Sequence, residues 1–208
     1  MLIRISTTRA AIPRSGEGIA FVHGEIQPQI SAMDGNRGFG MAVDHSSGRY
    51  VGIAAWTDGD ALRAGSDRAP GLISDVARHL DGGEPTVEVF DLALAHVAKP
   101  VRVGYWGQLV RMEVPAHELE RTVRRFAVTA LPVFERYDGL AAIVLFVDRS
   151  RNLAESVIWY DGLAVLRSSG SRLRELQDLL VADVPALHVL DVAELEVVIA
   201  EGGFLSWS

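Results

Sequence analysis

WTDGDALRAGS, from Trp56 to Ser66, is answered later in the chain by WYDGLAVLRSS, from Trp159 to Ser169. Trp56/Trp159, Asp58/Asp161, Gly59/Gly162, Ala61/Ala164 and Ser66/Ser169 all pair at one offset of 103 positions in a chain of 208 residues. Upstream of each phrase, Pro28, Asp34 and Gly35 match Pro132, Asp138 and Gly139 at an offset of 104. One small insertion near the intervening hairpin would reconcile the two offsets. Self-similarity over half a chain is the signature of an internal duplication, and it decides the fold before any local reading does.

Each half shows the same order of elements. Ile19, Val22, Ile26, Ile30 and Met33 recur with helical spacing, as do Leu119, Val123, Phe126, Ala130, Phe134 and Tyr137. Both helices run towards Asp-Gly, where glycine suits a left-handed C-cap. Pro28 and Pro132 fall inside these patterns, where a proline removes a hydrogen bond and costs about 3 kcal/mol unless the helix bends or breaks. Phe39 to Val43 and Ala141 to Val147 are apolar runs, each followed by a polar turn and a second run that closes at a tryptophan, which predicts two β-hairpins. The unbroken run AAIVLFV predicts a strand covered on both faces. Asp58 and Asp161 are expected as N-caps of a short helical turn. A further helix then carries Leu72, Val76 and Leu80, or Leu173, Leu176 and Leu180. A last strand follows at Thr86 to Ala95 and at Leu187 to Val198. The order β-α-β-β-α-β, twice, predicts an α+β fold of tandem ferredoxin-like repeats packed sheet to sheet as an intramolecular α+β barrel. The expected boundaries are 1–97 and 101–200, with an apolar tail at 201–208.

Composition narrows the chemistry. The net charge of −7 is spread evenly, with 9 basic and 12 acidic groups in residues 1–100 and 11 and 15 in the remainder, so neither half has the basic footprint of a nucleic-acid binder. No apolar run is long enough to span a bilayer, and MLIRISTTR lacks the apolar block of a signal peptide, which leaves a cytoplasmic address as the expectation. The chain has no cysteine, which removes disulfides, thiolate nucleophiles and Cys-type zinc sites together. Lys99, the only lysine, sits in the Ala98-Lys99-Pro100 connector, a poor setting for a Schiff base.

A strand ending in Trp-x-Asp-Gly-x-Ala, preceded by a helix and a hairpin, resembles the antibiotic biosynthesis monooxygenase (ABM) family of the dimeric α+β barrel superfamily, here in tandem. That resemblance covers nearly the whole chain, and it implies a pocket between sheet and helices in each half. The family includes cofactor-independent quinone-forming oxygenases and haem-degrading enzymes. Haem-degrading members carry an Asn on the first strand, and a second Trp and a His on the helix after the tryptophan motif. This sequence has Ser6 or Thr7 on the strand, Gly65 and Ser74 on the first helix, and Ser168 and Gln177 on the second. The resemblance therefore implies no haem, and no cofactor or metal is expected.

Candidate site residues carry competing readings. Trp56 and Trp159 would serve as stacking platforms for a flat aromatic ligand or as core closing each strand under its helix. His23, on the apolar flank of the first helix, would act as a base or stand as a boundary histidine. Arg4 and Ser6 alternate with Ile3 and Ile5; turned under the helices, the Arg4 guanidinium would bind a carboxylate or phenolate. Gln108 is the matching polar candidate in the second half, where Tyr105 or Trp106 would line its pocket. Asp75 and His79 are spaced one helical turn apart, but two ligands are too few to specify a metal. The glycines of residues 35–40 follow a helix and precede a strand, the wrong order for a phosphate cradle. Two functions are consistent with these residues: a small-molecule-binding, cofactor-independent monooxygenase acting on an aromatic or polyketide-like substrate, or a non-catalytic binder of an apolar ligand or partner. Phe204, Leu205 and Trp207 in the tail would expose an apolar patch unless they dock over their own barrel or across a second subunit of a homo-oligomer.

Overall fold

The computed structural model describes residues 1–10, 15–170, 174, 184 and 186–201. The second helix expected at Leu173, Leu176 and Leu180, Gln177, and the tail from residue 202 lie outside the described residues. Eight strands, β1 (Leu2–Arg9), β2 (Asn36–Asp44), β3 (Arg49–Trp56), β4 (Thr86–Val97), β5 (Trp106–Glu113), β6 (Leu140–Asp148), β7 (Leu153–Tyr160) and β8 (His188–Ala200), are hydrogen-bonded in the closed barrel order β1-β3-β2-β8-β5-β7-β6-β4. The fold is α+β with ferredoxin-like halves. The chain divides into a first compact unit, Met1–Phe90 with the segment that opens at Leu195, and a second, Asp91–Glu194. Strands β4 and β8 are thereby shared. Within the first unit β2 pairs with the end of β8, from Gly40↔Ala200 to Val43↔Glu196. Within the second, the end of β4 pairs with β6, from Asp91↔Val147 to Val97↔Ala142.

Both prolines are accommodated by the same distortion. In the first unit α1 (Ser15–Phe21) passes into a π turn, Val22–Ile26, and then α2 (Gln27–Ser31). The long helix α3 (Gly59–His79) follows the hairpin. In the second unit α4 (Leu119–Arg125) passes into a π turn, Phe126–Ala130, and then α5 (Leu131–Phe134). Gln27 N–H reaches back to the Val22 carbonyl and Leu131 N–H to that of Phe126, so the wider turn ends one residue before each proline. Proline then enters in the first turn of a new helical segment, where its missing N–H costs least. The inserted residue keeps Val22, Ile26 and Ile30 on one buried face, and Phe126, Ala130 and Phe134 on its counterpart.

Strand pairing corrects the expected insertion. The two hairpins have equal length, closing at Asp44↔Arg49 and Asp148↔Leu153, and every registered pair of the first hairpin recurs in the second 104 positions on. Leu2↔Trp56 is therefore matched by Trp106↔Tyr160, and Ile3↔Ala55 by Gly107↔Trp159. The residue that stands where Trp56 stands is Tyr160, not Trp159. Trp56 packs with Phe39, Met41, Leu62 and Leu80 in the core of the first unit, and Tyr160 takes that place in the core of the second. Because side chains alternate across a strand, one residue of displacement sends Trp159 to the opposite face. It lies over Gly107, where an added Cβ would meet its ring at 2.5 Å.

The same displacement explains the second phrase's aspartate. Asp58 caps α3, accepting hydrogen bonds from the Asp60 and Ala61 N–H groups at 3.0 and 2.9 Å. In the second unit Gly162 holds the cap position, where its carbonyl accepts from Leu166 N–H, while the Asp161 carboxylate pairs with Lys99. The short turn and separate helix expected after Trp56 are one continuous helix of 21 residues, whose capped start and buried Leu62 and Ala77 outweigh its internal glycines.

A repeated carboxylate closes each hairpin. Asp44 accepts from the N–H and Oγ–H of Ser46 and of Ser47; Asp148 accepts from Ser150 in the same way and from the N–H and Nε–H of Arg151. Burial pushes the Asp148 carboxyl up, but those hydrogen bonds and the Arg151 charge outweigh it and hold the group down at about 2. A depressed folded value means stabilisation that is complete above the unfolded value near 4 and is lost as pH falls towards 2. Asp148→Asn is expected to lower stability by on the order of 1 kcal/mol at pH 6, after discounting for solvent screening. Thermal melts should show the gap between wild type and variant closing by pH 2 to 3; a gap independent of pH contradicts the assignment.

Candidate functional site

The helix-facing side of the first unit's sheet is not filled. A cavity of about 50 Å3 lies between it and the helices, bounded below by Arg4, Ser6 and Thr8 of β1, Phe39 and Met41 of β2, and Tyr50, Gly52 and Ala54 of β3. Val22, Ile26 and Ile30 of the π-bent helix and Leu72, Ile73 and Val76 of α3 cover it. A wider space of about 340 Å3 lies beside it, lined by Arg4, Ser66, Ile73, Ser74, Glu84, Pro85 and Val87. Arg4, Ile73 and Pro85 border both spaces.

Arg4 is 4% exposed, and its Nη1 is buried without a hydrogen-bond partner. No carboxylate pairs with it among the described residues. Its guanidinium lies over the Trp56 ring, 5.4 Å from the centroid, and burial pushes its pKa below the ordinary arginine value. A cation–π contact offsets only part of the cost of desolvating a charge. Tyr50, 1% exposed, also lines the cavity, and its hydroxyl is likewise buried without a partner. By contrast Thr8 donates to the Gly83 carbonyl at 2.8 Å.

The duplicate differs at several positions that line this space. At the matching positions of the second unit Ser6 becomes Val110, Thr8 Met112, Gly52 Ser156, Ala54 Ile158, Val22 Phe126 and Ile30 Phe134. Each change adds volume, and these residues form that unit's continuous core, with Ser156 buried beside them. Against that trend Arg4, Tyr50, Ile26 and Phe39 are larger, where the second unit has Gln108, Ala154, Ala130 and Ile143, and of these four Arg4 and Tyr50 are polar.

Other sequence candidates are dispersed. Gln108 matches Arg4 in register, with its Oε1 buried and unpartnered, on the strand that also supplies Val110 and Met112 to the second unit's core. Trp106 packs against that core and Tyr105 precedes the strand, half-buried; neither borders the cavity. Trp56 and Trp159 are fully buried core residues. Trp56 meets the site only from beneath, as the surface on which Arg4 rests. His23 is exposed on the π turn, because the wall of the cavity is built from Val22, Ile26 and Ile30 while the next residue points outward. His79 stacks on Phe21 at 3.5 Å and its Nδ1 sits 2.8 Å from the Asp75 carbonyl, while the Asp75 carboxylate accepts from Arg78, so the two do not converge on a metal. The sequence reading missed Tyr50. The alternation in RYVGIAAW, which puts Tyr50, Gly52, Ala54 and Trp56 on one face with small residues in the middle, carried that signal.

Among the described residues no helix is long and apolar enough to cross a membrane. No family model matches the chain. A candidate monooxygenase from Fusobacterium nucleatum superposes with a TM-score of 0.73 at 12% identity, covering 97% of this chain and 94% of its own. An anthrone oxidase-like protein superposes with a TM-score of 0.66 at 12% identity, covering 96% and 92%. At such identities the likeness is one of fold, and the fold is that of ABM-like proteins. The uncharacterized protein Rv2558 of Mycobacterium tuberculosis is 34% identical over 198 residues, 94% of this chain and 83% of its own length. An ABM-like fold duplicated within one chain, read with that identity, places this protein in one family with Rv2558, and to that family the chain belongs.

Proposed function

We propose that the first unit binds a small apolar molecule bearing an anionic group, and that Arg4 receives that group. The observation that carries the reading is a guanidinium buried to 4% exposure at the border of an apolar cavity, with no carboxylate against it among the described residues. Leaving such a charge unpaired costs several kcal/mol, whereas an arriving carboxylate or phenolate would meet a donor fork already desolvated and in place. Cofactor-independent oxygenation of an aromatic or polyketide-like phenol is the second reading, favoured by the fold shared with an anthrone oxidase-like protein. Arg4 would then stabilise the phenolate. Among the described residues the linings of the two spaces hold no histidine and, of carboxylates, Glu84 alone, so binding is better supported than proton abstraction inside the cavity.

Calorimetric titration with cinnamate and with neutral cinnamyl alcohol tests the reading. Wild type is expected to prefer the acid by roughly thirtyfold, the worth of a hydrogen bond to a charged group. Arg4→Met should abolish that preference and, by removing an unpaired buried charge, raise the melting temperature by roughly 2–6 °C. Equal affinities of wild type for acid and alcohol would sink the assignment. Oxygen uptake on an anthrone without added cofactor would instead favour the catalytic reading.

A further inference from the structure

We infer that Tyr50 is a second polar anchor of this cavity, so that its ligand is two-headed: an apolar, elongated body with an anion at one end and a hydroxyl or carbonyl oxygen at the other. The inference rests on the reading of Arg4 as the anion anchor. Tyr50 lies in register with Thr8 and Arg4 with Ala54. Four residues of strand separate these levels, about 13 Å along the sheet. Both side chains border one cavity, and the floor between them is Ser6 and Gly52, the smallest side chains on the two strands. Apolar side chains of Val22, Ile26 and Phe39 complete the corridor.

Each end has a polar atom without a partner. Arg4 Nη1 and the Tyr50 hydroxyl are both buried and unpaired, in residues 4% and 1% exposed. A buried phenol that satisfies no partner is a liability in a core, and phenylalanine would fill the same space without it. The second unit has Ala154 at this place. Retention of a hydroxyl where the space is open, opposite the one buried cation of the site, is explained if a ligand oxygen completes it. The phenol both donates and accepts, so it fits a ligand hydroxyl or carbonyl, whereas Arg4 donates only and selects the anion. The anchors thus sort ligands by both chemistry and length.

The test uses the full chain and three probes: 4-hydroxycinnamate with both heads, cinnamate with the anion alone, and 4-ethylphenol with the hydroxyl alone. Wild type is expected to bind 4-hydroxycinnamate about fivefold more tightly than cinnamate, as one neutral hydrogen bond allows. Tyr50→Phe should erase that ratio and leave cinnamate affinity unchanged. Arg4→Met should weaken both acids and leave 4-ethylphenol unaffected. If the acids bind equally in wild type, or Tyr50→Phe preserves their ratio while Arg4→Met still weakens both, the second anchor is wrong and the first stands. If neither acid responds to Arg4→Met, the anion site itself is wrong and the inference falls with it. Circular dichroism of Tyr50→Phe, which changes one oxygen, guards against a folding artefact.

Discussion

A fragment comprising residues 1–97 is expected to aggregate rather than fold as a monomer. The first compact unit is not continuous in sequence: it needs the chain from Leu195, whose residues pair with β2 from Gly40 to Val43. Leu195, Val197 and Ile199 are 0%, 0% and 1% exposed. Removing three such side chains forfeits roughly 5–8 kcal/mol of burial, comparable with the whole stability of a typical domain. The cut also strands the end of β4, since Asp91 to Val97 take their partners from β6. Two open edges with apolar neighbours are the features that promote edge-to-edge association. Light scattering of the fragment should show oligomers or particles, and fusing residues 188–201 back through a flexible linker should shift it towards a monomer. A stable, monomeric 1–97 would show that the shared strands are dispensable.

The duplication was legible because it repeats rare residues, prolines inside helices and tryptophans at strand ends, and rare residues stand out from a background of aliphatic substitutions. Pro28 and Pro132 even announced the bends, since a proline at an identical helical position leaves few ways to keep the chain hydrogen-bonded. What identity matching could not supply was phase. Trp159 matches Trp56 by letter, yet the strand's period of two makes a one-residue displacement equivalent to turning the ring through the sheet. Only the pairing shows that Tyr160 inherits the position. The site followed the same rule. Arg4 was visible as a charge on an otherwise apolar strand, because one alternation determines which face it takes. His23 misled because a π turn redistributes the faces of a helix, and the extra residue has no sequence mark beyond the proline after it. The alternation of its strand marked the face of Tyr50 but not its unsatisfied hydroxyl, which is a property of surroundings drawn from strands and helices distant in sequence.

The two halves also differ in side-chain size at the positions that line the cavity. On β5, β7 and the π-bent helix the second unit carries the larger Val110, Met112, Ser156, Ile158, Phe126 and Phe134. Core tolerance favours such volume gains where a void already exists, because they recover dispersion and burial without strain. Keeping the first unit open therefore forgoes stability, and Arg4 forgoes more. A protein that sits just above its stability threshold retains such costs where a ligand repays them on binding.

Gly65→Ser is expected to be among the most damaging substitutions in the chain, and Trp56→Tyr in the same molecule is expected to rescue it. An added Cβ at Gly65 would lie 2.3 Å from Cη2 of Trp56, with two further ring atoms at 2.8 and 2.9 Å. Trp56 is fully buried, held between Phe39, Leu62 and Leu80, and carries Arg4 on its upper face, so it has nowhere to retreat. Glycine inside a helix costs about 1 kcal/mol relative to alanine, and its presence in the middle of α3 marks this packing requirement. Overpacking of this kind costs about 3 kcal/mol, or roughly 6–12 °C of melting temperature in a chain of this size. The second unit has already solved the problem in the other direction: Tyr160 stands where Trp56 does, and Ser169, wholly buried and donating to the Leu166 carbonyl at 2.7 Å, stands where Gly65 does. The smaller ring makes room for the hydroxymethyl group. Trp56→Tyr alone should therefore cost about 2–3 kcal/mol by leaving a void, yet the double variant should be less destabilised than the sum of its parts by at least about 2 kcal/mol. Denaturant melts of the four proteins measure that coupling. Strict additivity would mean that Gly65 and Trp56 are not fitted to each other and that the register linking Trp56 to Tyr160 does not govern the packing.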